Sequence, residues 1–156
     1  MLFRSDFHEE GLGGEKLGYF PTVFLVKKKT REEVLLALRQ GRMYACRTGN
    51  NFQRFALKDF SVSDSNMNSQ ANMGDTLELN SKPEIRINVS STDQGAHNVD
   101  MRVIRSGKLI KTFSKTTPFV VDFKDDYFRP GELIYYRVDI PGKLVSNPIF
   151  VKFSSE

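Results

Sequence analysis

Apolar and polar residues alternate along the second half of this chain. In "EIRINVS", Ile85, Ile87 and Val89 share one face while Arg86 and Asn88 share the other; a period of two is that of a half-buried strand. "NVDMRVIRSGKLIKTFSK" repeats the alternation through Val99, Met101 and Val103, and Ser106–Gly107 supplies a two-residue hairpin turn. "FVVDF", "LIYYRVDI" and "LVSNPIFVKF" continue the series, and Pro148 inside the last run predicts an edge strand or a bulge. Upstream, "RMYACR" and "FQRFALKDFSVS" read as strands, the second with Phe52, Phe55, Leu57 and Phe60 as its apolar surface. The polar, Asn-rich stretch "SDSNMNSQANMGD" predicts an exposed loop. From about residue 42 onward, roughly seven or eight short strands at this spacing predict an antiparallel, Ig-like β-sandwich.

The first 45 residues have a different texture. "MLF" reads as the end of a buried strand, "HEEGLGGEKLGYFP" as a Gly-rich loop and "TVFLVK" (Thr22 to Lys27) as a strand. A helical period then appears over about residues 31–40. Thr30 is a good N-cap, Glu33 completes a capping box, and Gly41 supplies the stop. Val34, Leu35 and Leu38, with Ala37, form its apolar face, and Arg31, Glu32, Arg39 and Gln40 its polar one. This helix has no place in a sandwich by pattern and reads as a connector.

Composition narrows the function classes. The 13 phenylalanines and a hydrophobic content of 39% suffice for a sizeable core, and Trp, a common platform for flat ligands, is absent. The net charge of +4 arises from 23 basic and 19 acidic residues, interspersed rather than striped. A nucleic-acid partner is therefore not indicated, and Lys27 to Lys29 read as a polar lead-in to the helix. No apolar run approaches the ~20 residues that span a bilayer, so no membrane partner is indicated either. The N-terminus does not read as a signal peptide, and the compartment is left open, with the cytoplasm preferred. The single cysteine, Cys46, excludes an intrachain disulfide and a multi-cysteine zinc site, and reads as a small buried hydrophobe.

One pair of residues carries metal chemistry. In "SDFH", Asp6 and His8 are two positions apart, so an extended backbone aims a carboxylate and an imidazole the same way. Those ligand types suit zinc, manganese or iron, although a catalytic zinc takes about three protein ligands. The only other histidine, His97, reads as an exposed loop residue. Asp122, Asp125, Asp126 and Glu132 in "DFKDDYFRPGE" are hard oxygen ligands of the calcium type, but the stretch reads better as an acidic turn. Arg42 and Arg47, which flank "MYAC", read as solvated strand ends, with a phosphate-facing role as the other reading.

Taken in order, "SDFH", the Gly-rich loop, "PTVFLV", "TREEVLLALRQGRMYA" and the ending "YYRVDI…LVSNPIF" resemble the C-terminal part of the PHP (polymerase and histidinol phosphatase) family of metal-dependent phosphoesterases. The matching residues are Asp6 and His8; Ala37, Leu38, Gly41, Arg42, Tyr44 and Ala45; Met73 to Asp75; Arg105 to Gly107; Tyr135 to Arg137; and Ser146 to Ile149. The family's upstream histidine-rich motifs are missing. The resemblance implies that residues 1–28 are a remnant of a catalytic barrel, 29–45 a connecting helix and strand, and 46–156 a β-sandwich accessory domain. It further implies a non-catalytic role for this chain, which would pack on or organise the barrel of the same polypeptide. The parent would hydrolyse a phosphoester with divalent Zn, Mn or Fe, to which Asp6 and His8 would be metal ligands only in the full enzyme. The isolated chain is expected to need no cofactor and to hold no catalytic residue. A homo-oligomer contact is a further role open to it. The alternative is a stand-alone sandwich that binds carbohydrate or protein.

Overall fold

The computed structural model of the chain describes residues 19–48, 55–64 and 68–155. It is a β-sandwich with one helix, as the alternation predicted. The strands are β1 (Thr22–Phe24), β2 (Met43–Cys46), β3 (Phe55–Ser63), β4 (Gln70–Asn72), β5 (Thr76–Leu79) and β6 (Glu84–Ser91). They continue with β7 (Asn98–Arg105), β8 (Lys108–Thr116), β9 (Phe119–Lys124), β10 (Leu133–Ile140), β11 (Leu144–Ser146) and β12 (Ile149–Phe153); α1 is Arg31–Gln40. Eleven strands follow residue 42 among the described residues, more than the sequence suggested. Of the additional ones, β5 directly follows, and β4 lies inside, the stretch expected to be an exposed loop. Its Ala71 and Met73 are in fact buried, so two apolar side chains anchor what polar composition alone assigns to solvent.

The smaller sheet runs β4-β3-β6-β9 and is antiparallel throughout. Phe55 and Leu57 point inward on β3, but so do Phe60 and Val62, which is out of step with a period of two. A register shift between Leu57 and Asp59 absorbs one residue and returns the apolar side chains to the core. In the larger sheet, β10 is central. On one side it pairs with β7 and through it β8; on the other with the bent strand formed by β11 and β12. β11 pairs outward with β2 and then β1, whereas β12 pairs outward with β5, the one parallel contact. β2 and β1 therefore continue the larger sheet.

Inward residues of both sheets form a single core. Ile85, Ile87 and Val89 meet Met101, Val103, Tyr136, Val138 and Val151, all essentially inaccessible to solvent. Ser106 and Gly107 turn the β7–β8 hairpin with φ of 45° and 84°. Two positive values in a row define the tight turn whose twist matches the strands. Pro148 is not on an edge; it lies in the break between β11 and β12, where the β10 register changes by one residue. There the Val138 N–H donates to Ser146 Oγ at 2.9 Å in place of a ladder carbonyl.

Candidate functional site

Asp6 and His8 lie outside the described residues. Among the described residues no group of three or more His, Cys, Asp or Glu side chains is placed to hold a metal ion. The acidic stretch disperses instead of converging, which removes the calcium reading. Asp122 binds Arg86 at 2.9 Å, Asp126 binds Lys82 at 2.8 Å, and Glu132 accepts from the Tyr127 hydroxyl at 2.6 Å. His97 is not an exposed loop residue: its ring packs edge-on against Phe55 at 6.1 Å, and Nε2 lies 2.8 Å from Asp93 Oδ2. The Gly95 N–H, and then His97, hold the Asp93 carboxyl below its ordinary range. Cys46 is buried, as its sequence context suggested.

Asp125 is the focus of a polar cluster set into the sandwich edge. Its Oδ2 accepts from Arg105 Nη1 and from the Tyr136 hydroxyl, both at 2.6 Å. The Arg105 guanidinium also lies 3.9 Å from the centre of the Tyr127 ring. Burial, and then the hydrogen bond to Asp125, push the Tyr136 phenol far above the ordinary tyrosine range. The folded state therefore keeps a proton that the unfolded chain releases, and the stability tied to Tyr136 is present below about pH 10 and declines above it. The expected slope is about 1.4 kcal/mol per pH unit from this one group. Urea titrations between pH 9 and 12 should show a shallower alkaline loss for Tyr136→Phe, together with a cost of roughly 1–2 kcal/mol at neutral pH. An unchanged slope would remove Tyr136 as its source.

Some of the matched residues, Gly41, Arg42, Gly74, Asn147 and Pro148, meet elsewhere, at the C-terminus of α1. Thr30 caps the start of the helix by accepting the Glu33 N–H at 3.3 Å. The reciprocal half of the expected capping box is absent: Glu33 Oε2 takes the Lys27 N–H, and the Thr30 N–H goes to the Lys28 carbonyl. At the other end Gly41 is left-handed, with φ 71°, and the Arg42 N–H returns to the Ala37 carbonyl at 2.9 Å. Asn147 Nδ2 donates to the Gly41 carbonyl at 3.0 Å, and the Asn147 N–H donates to the Met43 carbonyl at 3.2 Å. Gly74 donates its N–H to the Pro148 carbonyl at 2.8 Å. Gly41, Gly74, Asn147 and Pro148 thus clamp the helix end into the fork where β2 and β5 diverge from the bent strand. Gly74 and Asn147 fall in the matched stretches Met73 to Asp75 and Ser146 to Ile149, but no local pattern in the sequence assigns either a role. Their partners are set by the fork.

Two features of this junction differ from expectation. The apolar stripe of α1 is not a buried face: of Val34, Leu35, Ala37 and Leu38, only Ala37 is buried, while Leu35, Leu36 and Leu38 are 40%, 41% and 49% exposed. Arg42 is not a solvated strand end, because its Nε and Nη2 are buried and have no hydrogen-bond partner among the described residues. A buried guanidinium without an acceptor is costly. At the far end of β2 the Arg47 guanidinium lies 5.6 Å from the centre of the Phe20 ring. No protein-family model matches this sequence, and no curated protein is similar enough to it to count as a relative.

Proposed function

We propose that this chain is the non-catalytic C-terminal accessory part of a PHP-like metal-dependent phosphoesterase, and that α1 and its flanks are the surface by which it packs on the catalytic barrel. The observation that carries this reading is the leucine face of α1. Ten residues are too few for a helix to be stable in isolation, and this one buries only Ala37 while presenting Leu35, Leu36 and Leu38 to solvent. A clamped helix with an apolar face that no described residue covers is what a contact between domains uses. The unpartnered nitrogens of Arg42 support the same reading, since a neighbouring domain can supply the missing acceptor. In the parent, Asp6 and His8 would contribute a carboxylate and an imidazole to a divalent metal, and such a metal supplies an activated water for phosphoester hydrolysis.

The test is the mass of the native polypeptide, read by immunodetection in source cells. A band heavier than 17.8 kDa by a barrel of roughly 200–250 residues is expected. Purified native protein should then hydrolyse phosphoesters only with divalent metal, and Asp6→Ala should abolish that activity. A native band at 17.8 kDa would overturn the proposal.

A further inference from the structure

The larger sheet turns one side to the core and the other outward. Along β10, Ile134, Tyr136 and Val138 face inward, so Tyr135, Arg137 and Asp139 lie on the opposite face. Two grooves, of about 430 and 480 Å³, cross this outer face, and Arg137 and Val145 line both. Met43, Tyr135 and Pro148 belong to the first groove; Ile104, Leu109 and Pro141 belong to the second. The first groove also takes in Tyr44, Ser146 and Asn147, and the second Arg102 and Asp139, so both mix apolar side chains with hydrogen-bonding groups.

Charge in this trough is unbalanced at one point. Arg102 grips Asp139 with two parallel hydrogen bonds, Nε to Oδ1 at 2.6 Å and Nη2 to Oδ2 at 3.0 Å, so that pair is neutral as a unit. Arg137 sits between Ile104 on β7 and the break that holds Asn147 and Pro148. It is half-buried, and its guanidinium makes no hydrogen bond or ion pair with any described residue. A guanidinium held among apolar side chains in the centre of a sheet has five donors and a fork geometry that matches a carboxylate.

We propose that this face binds an extended acidic peptide segment. An Asp or Glu carboxylate sits on Arg137, and apolar side chains before and after it occupy the two grooves. The mixed lining, with Met43, Val145 and Pro148 beside Ser146 and Asn147, suits a peptide, which offers apolar side chains and backbone hydrogen-bonding groups together, better than a uniformly polar acidic sugar. This inference does not depend on the accessory-domain reading, because the trough and α1's leucine face are made by different residues.

The experiment is selection of random dodecapeptides displayed on phage against the immobilised 156-residue chain, with Arg137→Gln as the parallel target. Enriched peptides should share an acidic residue flanked by apolar ones. Exchanging that Glu for Gln, or using Arg137→Gln, should each weaken binding at least about tenfold by fluorescence anisotropy. Raising salt from about 50 to 500 mM should weaken it as well. Because Arg137 has no internal partner, Arg137→Gln should melt within about 2 °C of the parent. Met43→Glu, which puts a carboxylate in the first groove, is a second variant expected to abolish binding by repulsion. No enrichment, or equal binding to Arg137→Gln, would overturn the proposal. So would Arg137-dependent binding of oligogalacturonate without peptide enrichment, since the ligand would then be an acidic sugar.

Discussion

Gly74→Ala should be among the most damaging single substitutions in this protein, lowering stability by roughly 3–5 kcal/mol. Gly74 has φ of 89°, where an L side chain is strained, and its added Cβ would stand 1.7 Å from the Gln40 carbonyl oxygen and 2.8 Å from the Gln40 carbonyl carbon. Both atoms are backbone at the end of α1, so no flexible side chain can move aside. Either α1 lifts out of the fork or β5 shifts along with the Gly74-to-Pro148 hydrogen bond. Urea unfolding should show a lower midpoint, with helical ellipticity lost before the sheet signal if the helix detaches. Asn147→Ala, which removes only the donor to Gly41, should cost about 1 kcal/mol. If Gly74→Ala unfolded like the parent, the clamp described here would be wrong.

Asp125→Ala is expected to have the second largest effect. It strips the shared acceptor from the fully buried Tyr136 hydroxyl and from Arg105, whose side chain is 20% exposed. Removing one member of a buried pair leaves the other charge desolvated and costs about 3–5 kcal/mol. Partial exposure of Arg105 puts the expectation near the lower end, about 3 kcal/mol. Asp125→Asn retains an acceptor oxygen and should cost distinctly less. In a double-mutant cycle with Arg105→Met, the two losses should fall well short of additive. Additive losses would mean that Asp125 acts through Tyr136 alone.

These two sites differ in how far the chain itself announces them. Helix caps, a tight turn and an alternating strand depend on neighbours within a few residues. Thr30 and Gly41, the Ser106–Gly107 turn, and Ile85, Ile87 and Val89 were accordingly legible. Asp125 looked like a member of an acidic turn, because its decisive partner Arg105 is 20 residues away and reaches it from another strand. Gly74 lay in a stretch read as exposed, because only the close approach of α1 makes a side chain there impossible. For α1 the helical period located the helix, but of the expected stripe only Ala37 is buried, because periodicity cannot say whether anything covers a face.

By itself, then, the sequence determined the fold class, the hairpin, the helix and its limits, because each is fixed by local backbone preference and by the period of its apolar residues. Only the tertiary structure decided the rest. It placed β1 and β2 in the larger sheet, split β11 from β12 at Pro148, and joined Gly41, Gly74 and Asn147 into one clamp. It also left two guanidinium nitrogens of Arg42, and the guanidinium of Arg137, without partners among the described residues. The physical reason is common to all of these. Whether a polar group is satisfied, or an apolar one covered, depends on which distant segment arrives beside it, and that is set by how the two sheets close over their shared core.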